Sequence, residues 1–361
     1  MSFLRSRRTC PLAMWVVFAS ACSGGGDVRT GDSAPLPVWS YDSTQVFPAD
    51  RSLLRPEDGV ALPDGRLIVA DQQHGLRLVE QDVTSRPFGN LVAAGYSHHP
   101  PEHNGGANGV SLEPDGTHVL VADVFGAAIY RVNVSNGETE KLYQHRYGVN
   151  TAVRDSRDAV WFTQSAHNTP AEGEPRLWAA VDIPRAEGAL YRLGMQDGRL
   201  APQAELMVDS LLFANGVAID EAGGYLYLAE TNAGRVWRYM VDLGAGRLSD
   251  PLVFVDSVGA DNLELDDEGR LWIAAPLTNE VLVVNTATGV RHSVFRSLSP
   301  EQQQMIEEFT RRGQAGTSRM ELFTPAAWAP LPGLITGIII RPGGGPVYFT
   351  GLGNALLKLS R

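Results

Sequence analysis

The chain has 361 residues, two cysteines and a formal net charge of −11, with 43% hydrophobic and 20% charged residues. That balance suits a globular core and excludes extended disorder. The acidic excess argues against a nucleic-acid surface and is compatible with a cation-binding one.

Arg5, Arg7 and Arg8 precede a short apolar run, LAMWVVFASA, that is too short to span a bilayer. Residues 1–21 therefore read as a signal segment. Ala19-Ser20-Ala21-Cys22 resembles a bacterial lipoprotein cleavage box, with Cys22 as the expected lipidation site. Cleavage there would remove Cys10 and leave no partner for an intrachain disulfide. The expected location is the cell envelope, with the chain lipid-anchored on the periplasmic or extracellular side of a bacterial membrane. Residues 22–50 read as a flexible tether followed by a first strand candidate, PVWSYDSTQVF.

From residue 51 to 361 one pattern recurs. RPEDGVALPDGRLIVAD (55–71), GANGVSLEPDGTHVLVAD (106–123), GVNTAVRDSRDAVWFTQ (148–164), FANGVAIDEAGGYLYLAE (213–230), GADNLELDDEGRLWIAA (259–275) and LITGIIIRPGGGPVYFTG (334–351) are each strand, tight turn and strand. A third strand usually follows, as in LRLVE, AIYRVN, ALYRL, RVWRYMV and EVLVV. The openings of these units are offset by 51, 42, 65, 47 and 74 residues. Repetition on this scale predicts an all-β, six-bladed β-propeller in one domain, with the two long offsets as insertions.

In such a blade the first strand lines the central channel. Its start shares a face with the loop between the second and third strands. Residues 165–188, residues 87–106 (with His98, His99 and His103) and residues 297–333 would all crowd that face as lid insertions. The last of these contains SPEQQQMIEEFTRRG, with Ser299 as N-cap and Pro300 at the first helical position. Trp178, Phe309, Phe323 and Trp328 are candidate walls of an apolar pocket beneath.

The strand openings carry Glu57-Asp58, Asn108, Asn150, Asn215, Asp261-Asn262 and Thr336. Singly, Asn and Asp at strand starts cap turns. At equivalent positions around one axis they form a hard-oxygen cluster suited to Ca²⁺ or another divalent metal, with Glu57 and Asp261 balancing its charge. Gly216, beside Asn215, would leave room at the axis.

PEDGVALPDG, FANGVAIDEAGGYLYLAE and ADNLELDDEGRLWIA resemble the gluconolactonase (senescence marker protein), paraoxonase and strictosidine-synthase-like propellers, and the resemblance covers residues 55 to 361. It implies Glu57, Asn150, Asn215, Asp261 and Asn262 as metal ligands. Asn108 and Asn150 become substrate-binding, and Asp261 or Glu57 the catalytic base. It also implies a small-molecule substrate, a lactone or related ester. Asn108 stands where paraoxonases carry a histidine, and Thr151 stands where they carry an aspartate for a second ion. No Glu occupies the last opening, as strictosidine synthase chemistry would require. His74 and His167 are weaker base candidates. There is no G-x-S-x-G stretch for a serine nucleophile, and Gly343-Gly344-Gly345 belongs to a hairpin turn rather than a phosphate loop. The alternative reading is a non-catalytic envelope propeller that binds a ligand or protein.

Overall fold

The computed structural model describes residues 36–80, 84–97, 105–341 and 343–360. Residues 1–35, with Cys22 and the expected signal segment, and His98, His99 and His103 lie outside the described residues.

Six antiparallel four-stranded sheets form the blades of a propeller. Blade 1 comprises Pro56–Ala61, Leu67–Asp71, Gly75–Val79 and Ser85–Phe88; blade 2 comprises Ala107–Leu112, His118–Asp123, Ala128–Asn133 and Thr139–Gln144. Blade 3 is Ala152–Arg154, Val160–Gln164, Ala186–Leu193 and Glu205–Leu212, with a small added hairpin. Blade 4 is Ala214–Asp220, Tyr225–Glu230, Arg235–Asp242 and Arg247–Asp256. Blade 5 is Leu263–Leu265, Arg270–Ala275, Glu280–Asn285 and Arg291–Arg296.

Blade 6 corrects a sequence boundary. Its inner strands are Ile335–Ile339, Val347–Gly351 and Leu356–Leu359, and its outermost strand is Thr44–Phe47, paired with Leu356–Leu359 from Thr44↔Leu359 to Phe47↔Leu356. The strand expected between residues 22 and 50 thus completes the last blade. The propeller begins before residue 51. A closed ring leaves no first or last blade exposed, and sharing one sheet between the two ends of the chain is what closes it. Trp39 reinforces the seam: it packs on Trp272 and Phe349, and its Nε1 donates to the Ser360 carbonyl at 2.9 Å.

The core lies between blades. Ile68 and Ala70 of blade 1 meet Val119 and Val121 of blade 2, and Phe47, Tyr348 and Ile339 of blade 6 meet Leu67 and Val69 of blade 1. Val217 and Ile219 pack against Trp161 and Leu190 between blades 3 and 4, as their alternation predicts. The strand turns at the far end are tied by a repeated device. Asp155 and Asp266 each accept the indole N–H of the tryptophan six residues on, Trp161 and Trp272, at 2.8 Å.

Among the described residues, the two α-helices lie in the insertions. Gly173–Asp182 (α1) joins the second and third strands of blade 3, and Pro300–Gln314 (α2) precedes blade 6. Ser299 caps α2 and Gln302 reaches back to it, the reciprocal box that SPEQ encodes.

Candidate functional site

Openings of neighbouring blades approach closely enough to hydrogen-bond to one another around the axis. Gly216 N–H donates to the Asp261 carbonyl at 3.2 Å and Gly109 N–H to the Asn150 carbonyl at 2.9 Å. A Cβ at Gly216 would fall 2.7 Å from both the Asp261 oxygen and the Leu263 nitrogen. Glycine after the polar opening residue therefore sets how tightly the openings converge.

They converge on the floor of a cavity of about 1070 Å³, lined by Glu57, Asn108, Asn150, Asn215, Asp261 and Thr336. Asn262 faces the other way. It lines a smaller cavity of about 270 Å³ with Asp58 and Thr151, and its Nδ2 donates to both carboxylate oxygens of Glu57 at 3.2 and 3.3 Å. Its Oδ1 accepts from Thr151 Oγ1 at 3.3 Å. Of the five expected ligands, four share the large cavity and the fifth supports Glu57 from beneath it.

Glu57 is held at the backbone as well. Its carbonyl accepts from Thr336 Oγ1 at 2.8 Å and Thr350 Oγ1 at 2.7 Å. Thr336, the one opening without a carboxylate or amide, is thus spent on orienting the Glu57 main chain. Asn108 is tied to its neighbours: Oδ1 accepts from Gln72 Nε2 at 2.6 Å and Nδ2 donates to the Asn150 carbonyl at 3.2 Å. Asn215 Nδ2 donates to Thr231 Oγ1 at 3.1 Å, which in turn donates to the Ala260 carbonyl at 2.6 Å.

Three acceptor oxygens on this floor, Asp261 Oδ1, Asn215 Oδ1 and Gln72 Oε1, are buried with no hydrogen-bond partner. Buried polar groups are ordinarily paired, and three unpaired acceptors in one place require a donor or a cation. Charge points the same way. Burial raises the Glu57 carboxyl well above its usual range, and Asp261 and Asp58 raise it further against the pull of Asn262 and Arg55. Burial pushes Asp261 up to about 8, opposed by the Asn215 amide and reinforced by Asp58, and pushes Asp58 up to about 7. The donor set is all oxygen from several blades, which fits a divalent cation of the Ca²⁺ type.

A pH dependence follows. These carboxyls hold protons in the folded state that the unfolded chain releases near pH 4, so the folded state binds more protons between pH 4 and 8. Stability of the cation-free protein should therefore fall as pH rises from about 4 through 7 to 8. A divalent cation should flatten that loss. Melting curves across pH, in chelator and in Ca²⁺, measure it; a cation-free protein that gains stability over this interval contradicts the picture.

Gln72 and Thr231 escaped sequence reading. Both stand immediately after a second strand (LIVAD-Q and YLYLAE-T), and that shared position is the signal that would have found them. Arg55 also lines the cavity, bonded to Glu174 Oε1 at 2.6 Å, and Trp178 Nε1 donates to the same oxygen at 2.9 Å. Leu177, Trp178 and Val181 from the α1 insertion, with Ile306, Phe309 and Phe323 from the α2 insertion, form the roof. Two of the three expected lid segments, 165–188 and 297–333, thus line the cavity, while Trp328 and the described residues of 87–106 do not. His74 and His167 do not line it either: His74 Nδ1 sits 3.0 Å from Asp71 Oδ2, and His167 stacks on Tyr147.

Among the described residues Glu113, Asp115 and His118 also cluster within 4.8 Å. Glu113 there accepts from Arg131 Nε at 2.9 Å and Arg154 Nε at 2.7 Å. Two guanidinium groups already balance the acids, so this is an ion-pair network.

Residues 137–296 match the family model of the SMP-30/Gluconolactonase/LRE-like region, which takes in Asn150, Asn215, Asp261 and Asn262. An adipocyte plasma membrane-associated protein of Gallus gallus is 25% identical over 208 residues, 54% of this chain and 48% of that protein. A cell growth-regulated gene 1 protein of Candida albicans is 21% identical over 194 residues, 45% of this chain and 57% of that one. The matches thus span about half the length of these curated relatives. A gluconolactonase structure from Xanthomonas campestris superposes with a TM-score of 0.58 at 17% identity, covering 92% of this chain and 99% of that one. The calcium-binding protein regucalcin from Agrobacterium tumefaciens gives 0.56 at 14% identity, covering 90% and 95%. At these identities the superpositions establish the propeller fold.

Proposed function

We propose that this six-bladed propeller, whose residues 137–296 belong to the SMP-30/Gluconolactonase/LRE-like region family, is a divalent-cation-dependent hydrolase of a lactone or related ester. The observation that carries the reading is the cavity floor. Asp261 Oδ1, Asn215 Oδ1 and Gln72 Oε1 are unpartnered there beside a Glu57 carboxylate that repels Asp261. The neighbours named for gluconolactonase activity and calcium binding support the same chemistry.

Glu57, Asn150, Asn215 and Asp261 would hold the cation, with Asn262 orienting Glu57. When bound, such an ion polarises a carbonyl and stabilises the negative charge that develops on its oxygen. Asp261 is the proposed proton acceptor from water, as a carboxylate on the cavity floor among the residues that would hold the cation. Glu57 is the second candidate, fixed by Asn262 at its carboxylate and by Thr336 and Thr350 at its backbone. Asn108 and Asn150 border the space a carbonyl would occupy and are the proposed substrate-orienting amides. Residues of the α1 and α2 insertions wall the cavity above that floor.

A panel of lactones and esters, assayed with chelator and with Ca²⁺ or another divalent ion restored, tests the proposal. Turnover that chelator removes and the ion restores is expected. Metal-independent turnover, or none on a broad panel, rejects it; a stoichiometric ion without turnover favours the non-catalytic binding propeller.

The lipid anchor is part of the proposal. Cys22→Ser should move the protein from the membrane fraction to the soluble fraction of an expressing bacterium. Equal partitioning of wild type and variant would reject the anchor.

A further inference from the structure

Among the described residues three arginines line the cavity, and two of them are balanced. Arg55 pairs with Glu174 at 2.6 Å and Arg235 with Glu230 at 2.7 Å. The acids of the lining are matched as well. Asp256 lies 3.6 Å from Arg291, and Glu57 and Asp261 carry the charge that a divalent cation would balance. Arg319 is the exception. It is 5% exposed, and among the described residues it forms no ion pair. The acid that acts on it is Asp182, whose Oδ1 already accepts from the Ser318 hydroxyl and the Arg319 and Met320 backbone N–H groups. Burial pushes Arg319 down to about 10, against the pull of Asp182.

The guanidinium is held in place without being neutralised. Its Nε donates to the Val181 carbonyl at 2.9 Å and its Nη2 to Asn232 Oδ1 at 2.8 Å, while its Cζ lies 4.1 Å from the centroid of the Phe309 ring. Carbonyls and a ring face solvate a cation but supply no counter-charge. Nη1 has no hydrogen-bond partner among the described residues. It rests against Gly313 of α2, where a Cβ would lie 2.1 Å from Nη1 and 2.9 Å from Cζ. Glycine at that position leaves room for the head group. Thr310, three residues earlier, and Gln314, next in sequence, also line the cavity and add a hydroxyl and an amide to the same helix face.

We infer that the ligand of this cavity carries a carboxylate remote from its reacting carbonyl, and that Arg319, seated on Gly313, binds it. This rests on the hydrolase reading above and names its substrate class, an acidic lactone or ester. A carboxylate matches the single charge of one guanidinium, and its two oxygens suit a planar N–H edge. With the reacting carbonyl on the floor and the carboxylate at Arg319, every charge lining the cavity has a counterpart. A cavity of about 1070 Å³ has room for both groups.

The test compares γ-lactones bearing a carboxylate on arms of increasing length with the same compounds capped as primary amides, which keep the shape and lose the charge. Calorimetric binding of the matching non-hydrolysable γ-lactams to the Ca²⁺-loaded protein runs in parallel. In the wild type, at the best arm length, acid should exceed amide by roughly tenfold or more in kcat/KM and in lactam affinity, as a hydrogen bond between charged groups provides. Arg319→Gln should bring the acid-to-amide ratio close to one while amide-arm binding is retained. Gly313→Ala favours the helix and displaces Nη1, so it should lower the ratio with the charge still present.

A wild-type ratio near one overturns the inference, and so does a ratio that survives Arg319→Gln. If Arg319→Gln fails to fold or loses amide binding too, Gly313→Ala decides, and an unchanged ratio there overturns the inference. Equal turnover of acids and amides overturns it and leaves the hydrolase reading standing. If no lactone is turned over, the hydrolase reading falls and the lactam ratio decides the inference. Absence of lactam binding overturns it.

Discussion

Asp261→Asn is expected to lower turnover by at least ~10²-fold, the lower end of what a positioned acid or base contributes, while raising the melting temperature of the cation-free protein near pH 8. The two effects have one origin. Asp261 is buried, its Oδ1 has no donor, and Asp58 and Glu57 lie near enough to raise one another's proton affinity. Ionising it without a cation destabilises the fold; with a cation it supplies charge balance. The amide keeps the shape and removes the charge, so the cation-free state gains stability while the ion loses a ligand. The ion-induced rise in melting temperature should shrink accordingly. Melting curves with and without Ca²⁺, and kcat/KM on the best panel substrate, read all three. A variant that keeps wild-type turnover, or whose cation-free form melts lower at pH 8, contradicts the assignment.

A chain beginning at residue 51 is expected to lose cooperative unfolding near room temperature. It lacks Thr44–Phe47, the outer strand of blade 6, together with the Trp39 seam. Trp39 and Phe47 are each 6% exposed. Losing two buried aromatics costs on the order of 6–10 kcal/mol, against a typical net stability of about 5–15 kcal/mol. The truncation also exposes the edge of Leu356–Leu359 to pairing with other chains. Circular dichroism melts and light scattering should show a broadened, early transition with aggregation. A truncated protein that melts cooperatively at the wild-type temperature would show that the closure is dispensable.

Much of the inner architecture was legible in the sequence. Strands flanking the axis are buried on both faces or alternate cleanly, so VLVAD and YLYLAE announce themselves. The outermost strands do not. Arg247–Asp256 is exposed along most of its length and contains Pro251, and an edge position selects neither periodicity nor apolar residues. The closing role of Thr44–Phe47 was hidden for another reason. Its partner lies more than 300 residues away, and local pattern carries no information on pairing at that separation.

Residue types at the strand openings, set by composition and spacing alone, determined that amides and carboxylates meet at one axis. Glu57, Asn108, Asn150, Asn215 and Asp261 needed only the repeat to be grouped. Which way each side chain faces was decided by tertiary structure. Asn262, adjacent to Asp261, alternates to the other side of the channel and becomes a support for Glu57. Gln72 and Thr231 join the floor because the ends of second strands rise beside the openings. The apolar roof likewise exists only once α1 and α2, separated by more than 100 residues, fold over the same face. A repeating sequence specifies equivalent positions. Chain closure and side-chain direction depend on contacts between distant segments, and only the folded chain contains those.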